Sequence, residues 1–273
     1  MPKTLTPDLG FRLSIGVPLL TVAVVAWYVS AFLPQDSSPM PTSSLRPVLP
    51  VATMSSLFSA LDMGVIASFL VVWIVGMVAM MFPAIVPVMS IYTGLMTSEE
   101  KRPNLSRFMG PPLFLSGYLS LYALLGLFLF VLVYVVFQLS SILPWLSSLS
   151  VAGVGSVLLL AGIWQLTPLK EKSLATCISP MGFFLTHAKR GLSGAFQMGA
   201  EHGIFCVGCC WLYMLVMLVV AAMSLPSMAL LSGLIIVEKA FIGRTRWFKW
   251  LSSGIFFLLA ALVITFPSYL TLL

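Results

Sequence analysis

Residues 201–211 read Glu-His-Gly-Ile-Phe-Cys-Val-Gly-Cys-Cys-Trp, inside a stretch that is otherwise mostly apolar. Neutral imidazole and thiolate are good ligands for Zn²⁺ and for Cu(I), and soft sulfur favours copper. If the stretch is helical, each residue advances about 100°, so His202, Cys206 and Cys209 fall within about 60° of one another on one face. Met198, Tyr213 and Met217 extend that stripe, while Cys210 points about 80° away from His202. A lone buried cysteine or histidine is ordinary core material. Three on one stripe beside Glu201, at a depth where ionisable groups are costly, point to a metal site.

A second sulfur pattern lies upstream. In Met-Val-Ala-Met-Met-Phe-Pro-Ala-Ile-Val-Pro, Met77, Met80 and Met81 repeat the i, i+3, i+4 spacing of Cys206, Cys209 and Cys210. Methionine commonly fills irregular cores, but its thioether is also a soft ligand that suits Cu(I). Pro83 and Pro87 are expected to kink this helix and free backbone carbonyls. Counted at about 1.5 Å per residue from the cytoplasmic ends, Met80 and Cys206 both lie about 16–18 Å deep, and His202 about 12 Å. Glu238, followed by Lys239, reads first as half of a local ion pair. Its other readings are a partner to Glu201 or His202 and an entry ligand, which makes Glu201 and Glu238 candidates for support around the metal.

The elements that position these groups follow from composition. Sixty per cent of the 273 residues are hydrophobic and 8% are charged, against about 25% charged in soluble domains. Such a chain belongs in a lipid bilayer as an all-α, polytopic transmembrane bundle. Seven apolar segments are expected as spans, at about 11–33, 63–92, 112–139, 150–166, 194–223, 228–241 and 248–270. The first is longer than the ~7–15 residues of a signal-peptide core and reads as a retained helix. Residues 34–59, rich in Pro and Ser, read as an external linker within a single membrane domain.

With the amino terminus inside and the carboxyl terminus outside, thirteen of the fourteen Lys and Arg residues fall on the cytoplasmic side and only Arg46 outside. The positive-inside rule therefore accounts for the net charge of +6, and no nucleic-acid partner is needed. The loops at 97–107 and 168–192 hold most of that charge, and the second also holds Cys177 and His187. Four cysteines are too few for a disulfide framework. The matching sulfur patterns on helices expected to run in opposite directions are compatible with a 3+3 inverted repeat, which places sites near the midplane.

Residues 162–170 (Gly-Ile-Trp-Gln-Leu-Thr-Pro-Leu-Lys), Cys177, Ser179-Pro180, the run Gly203 to Trp211, Met223 and Glu238-Lys239 together resemble a bacterial family of predicted metal-binding integral membrane proteins. The methionine helix is similar as well, so the resemblance runs from about Val72 to Phe241 and is carried most specifically by Gly-x-x-Cys-x-Gly-Cys-Cys-Trp. It implies metal binding without naming the metal. The loop pattern of that family implies two cysteines, and Ser173 stands where the first would be, leaving the part of Cys177 open.

The leading expectation is a multi-pass protein of the bacterial inner membrane that binds, passes or transports Cu(I), for instance in loading a membrane cuproenzyme. Zinc and haem rank behind copper. Two other classes stay open: an accessory or structural subunit of a membrane complex, and a haem or thiol oxidoreductase. An enzyme is the weaker expectation: no cysteine lies on the external side for a thiol relay, a mid-helix pair must meet strict disulfide geometry, and haem held by two histidines would need His187 in a loop. The absence of a P-loop disfavours a primary ATPase.

Overall fold

A computed structural model describes residues 9–32, 63–98, 104–142, 150–219, 225–239 and 246–265. All regular structure in these residues is helical. The helices are α1 (Leu9–Phe32), α2 (Met63–Ser98), α3 (Asn104–Ile142), α4 (Ser150–Leu166), α5 (Pro168–Ile178), α6 (Pro180–His187), α7 (Gly191–Val219), α8 (Leu225–Val237) and α9 (Arg246–Thr265). α8 runs on into a π-helical turn at residues 238 and 239, a feature frequent at functional sites.

Four helical stretches are long and apolar enough to cross a membrane: Ile66–Leu95, Phe108–Val135, Gly191–Val219 and Trp247–Thr265. Gly16–Ala31, Gly153–Leu166 and Pro226–Val237 are apolar but shorter. The external linker expected at 34–59 lies outside the described residues, as does Met223. Large apolar side chains such as Val24, Tyr28, Leu124, Phe128, Trp250 and Leu258 point outward, a surface suited to lipid.

α7 is the hub, with α3, α4, α5 and α8 packed around it, while α2 joins α1, α3, α6 and α8, and α9 lies along α4. Glycine sets the closest of these approaches. A Cβ on Gly199 would sit 1.9 Å from the Phe114 carbonyl oxygen, and one on Gly117 would sit 2.1 Å from that of Phe196. Gly203, one turn beyond Gly199, continues the seam against Tyr118 and Leu121. This small-xxx-small seam lets two backbones touch, as in helix pairs that associate without a hydrophobic driving force.

The prolines of α2 act as expected in part. The helix continues through both, but Pro83 has no N–H to give the carbonyl four residues earlier. That carbonyl belongs to Ala79, and the Trp27 indole of α1 donates to it at 3.0 Å. On α3 the Trp73 indole of α2 also reaches the backbone, Nε1 donating to the Tyr122 carbonyl at 2.9 Å. Gly126 makes room for it, since a Cβ there would meet the Trp73 ring at 2.5 Å.

The segment read as a cytoplasmic loop is two short helices laid against the bundle. Thr167 caps α5 by accepting from the Lys170 N–H, with Pro168 in the first turn. Pro180 likewise opens α6. On α5 the buried residues are Lys170, Leu174 and Cys177, an i, i+4, i+7 face that turns a lysine and a thiol inward. Gly191, at φ +79°, makes the turn into α7.

Candidate metal centre

α7 is 29 residues long, or about 43 Å, and Cys206 stands at its middle. The sulfurs of Cys206 and Cys209 on α7 and Cys177 on α5 all lie within 4.8 Å of one another, and all three residues are buried. Cys177 and Cys209 are 4.0 Å apart, sulfur to sulfur, and all four cysteines are free thiols. A metal with bonds of about 2.3 Å to sulfur holds trigonal ligands about 4.0 Å apart. The donor set therefore fits a soft ion in a three-sulfur shell with little movement.

Each cysteine has local reasons for its position. Cys209 Sγ donates to the Cys206 carbonyl at 3.1 Å and Cys210 Sγ to the same oxygen at 2.8 Å. Cys209 thereby faces α5, while Cys210, also buried, remains outside the group of three. One turn before Cys177, Ser173 lies against Gly208, where an added Cβ would come within 2.9 Å of its hydroxyl. Gly208 thus lets α5 approach α7 at the level of the sulfurs. Cys177 lies outside the four long apolar helices, and its hydrogen bonds with Cys206 and Cys209, together with burial, hold its thiol above the usual cysteine range.

Cys206 has the richest surroundings. The Tyr118 hydroxyl is 3.1 Å from its sulfur and 3.1 Å from the Tyr122 hydroxyl. Lys239 Nζ donates to the same sulfur at 2.8 Å. An ionised Cys206 thus has its counter-charge already in contact, in an interior where charge otherwise carries a heavy desolvation cost.

A second polar cluster joins α5, α7 and the turn after α8 to Gln165 of α4. Lys170 of α5 forms an ion pair with Glu238 Oε1 at 2.5 Å and also donates to the Gln165 side-chain oxygen. Tyr213 of α7 donates to Glu238 Oε2 at 3.0 Å and accepts from the Gln165 amide. Lys170 and Glu238 are almost wholly enclosed, with 3% and 7% of their side chains exposed. Lys170, expected among the cytoplasmic charges, is buried in the bundle. The cluster corrects one expectation. Glu238 pairs with Lys170 and not with Lys239, because neighbours on a helix diverge by about 100° and meet different partners.

The remaining expected residues fall around this centre. His202 is buried on α7 but is not in the sulfur group. Its ring lies 5.2 Å from that of Phe183, edge to face, and 6.1 Å from that of Tyr118. Its Nδ1 is buried with no hydrogen-bond partner among the described residues. Glu201 pairs with Lys189 at a partly exposed position and does not join the sulfurs. Met77, Met80 and Met81 are fully buried on α2. The Met80 carbonyl accepts from Ser232 of α8 at 3.5 Å, two turns before Lys239. The residues that the helical stripe did not supply are Cys177, Lys239 and Tyr118. Cys177 and Tyr118 lie on other helices, and only the inward face of α5 hinted at the first.

No curated protein and no solved structure matches the chain. The PpoB2 family model, described as a copper chaperone, matches residues 70–264. The chain belongs to this copper chaperone family, and its cysteine cluster fits copper binding.

Proposed function

From that membership we propose that the chain is a membrane-embedded chaperone whose cargo is Cu(I), held by Cys177, Cys206 and Cys209 and passed to a membrane cuproenzyme. The observation that carries this reading is the convergence of three buried sulfurs from two helices within 4.8 Å. An all-sulfur donor set suits a soft monovalent ion. Metal entry would release the protons of these thiols, so affinity should rise with pH.

The same reading makes the chain a multi-pass protein of the inner membrane with seven spans, amino terminus in and carboxyl terminus out; four helices long and apolar enough to cross a membrane are compatible with membrane association. An inverted repeat relating α2 to α7 belongs to the same reading. His202 lies one turn from Cys206 on the same helix. Its unpartnered Nδ1 suits a relay ligand on the way to the sulfurs. Cys210 and the thioethers of Met77, Met80 and Met81 would line the exit or complete the shell, with Glu201 and Glu238 acting through their neighbours.

Metal analysis of the full chain purified after growth with copper tests the site. About one copper per chain is expected, with Cys177→Ser, Cys206→Ser and Cys209→Ser each losing most of it and Cys210→Ser little. Equal copper in all four variants and the parent would contradict the reading.

A further inference from the structure

Lys239 differs from every other buried or half-buried charge near the centre. Lys170 is neutralised by Glu238 and Lys189 by Glu201. Lys239 forms no ion pair with a carboxylate among the described residues, and its ammonium rests 2.8 Å from the Cys206 sulfur. The Lys170–Glu238 pair adds no net charge to this region. Lys239 is therefore the formal charge that a metal on Cys206 meets directly.

We propose that Lys239 is a charge-selectivity residue, one that makes the three-sulfur site favour a monovalent soft cation over a divalent one. This rests on the sulfur site proposed above. The argument is electrostatic. A fixed positive charge beside the metal repels a divalent ion by one unit charge more than a monovalent ion.

Net charge in the buried site gives the same direction. Three thiolates with Cu(I) carry −2 and with Zn²⁺ carry −1, and burial energy grows with the square of charge. Removing Lys239 therefore exposes the copper form to the larger penalty, whereas Lys239 brings it to −1 and the zinc form to zero. The gap in squared charge narrows from three to one, which restates the same lysine–site attraction as net charge and again favours copper when the lysine is present. At about 5 Å and an effective dielectric near 20, one extra unit charge amounts to roughly a hundredfold in relative affinity.

The test measures Cu(I) and Zn²⁺ affinities of the purified full chain by competition with chromophoric chelators. The proteins compared are the parent, Lys239→Met, Lys239→Gln and Lys239→Arg. The two neutral replacements, one apolar and one polar, guard against a single variant that fails to fold. Both should raise the ratio of zinc to copper affinity by roughly a hundredfold, and Lys239→Arg should stay within a few-fold of the parent. An unchanged ratio, with both metals weakened equally, would overturn the inference and leave Lys239 as a positioning residue, with the copper site itself intact. A parent that binds neither metal would overturn the functional reading as well.

Discussion

Two lysines enter this helical interior and meet opposite surroundings. Lys170, on α5, is enclosed by a carboxylate, an amide oxygen and a tyrosine hydroxyl, so its charge is matched and its hydrogen bonds are filled. Lys239, on the π-helical turn after α8, lies against a thiol, a partner that is charged only when it loses its proton. The first lysine belongs to a closed structural clasp, and the second to a site whose charge changes when metal arrives. Both clusters join α5, α7 and the end of α8, so the clasp holds in register the elements that bear the sulfurs.

Breaking the clasp should have the largest effect. Lys170→Met leaves Glu238 buried without a cation and should cost about 3–5 kcal/mol, because an uncompensated buried charge is far worse than a removed pair. Thermal or denaturant unfolding in detergent, with no metal added, measures it. Lys239→Met removes one hydrogen bond to a sulfur that can take up a proton once the cation is gone, and should cost less, about 0.5–1.5 kcal/mol in the same metal-free assay. Equal losses for the two variants would erase the distinction between them.

The helical seam comes next. Gly199→Ala places a methyl group against the Phe114 carbonyl and should cost about 1–3 kcal/mol by overpacking. It should also push α3 and Tyr118 away from Cys206, weakening copper retention without touching a ligand. Retention at the parent level would show that Tyr118 plays no part in holding the site.

The smallest effect on stability is expected for Met77→Leu, Met80→Leu and Met81→Leu combined, below about 1.5 kcal/mol because volume and apolarity are nearly kept. If these thioethers serve the cargo, copper transfer to an acceptor slows while the three-cysteine site still fills. Unchanged transfer would make them core residues only.

The stripe on α7 was legible from helical periodicity, and Cys206 and Cys209 lie together as that spacing predicts. The third sulfur was not, because Cys177 reaches the group from a different helix through tertiary packing. Its signal was weak: the Thr167-Pro168 cap followed by Lys170, Leu174 and Cys177 on one face. The place of Lys170 was hidden for a related reason. In sequence it resembles any loop lysine, and only Glu238, 68 positions away, gives it a place indoors. Glu238 and Lys239 show the converse, since adjacency in sequence suggested a pair and helical geometry separates them. The apolar helices themselves were readable from composition, because long apolar runs of this kind have the length that a membrane-crossing helix needs.

X-ray absorption at the copper edge, on copper-loaded full chain and on Cys177→Ser, tests the central claim most directly. Cu(I) with three sulfur neighbours is expected in the parent, and two sulfurs or loss of the ion in the variant. A shell dominated by nitrogen or oxygen, or one that Cys177→Ser leaves unchanged, would contradict a copper site built by α5 and α7 together.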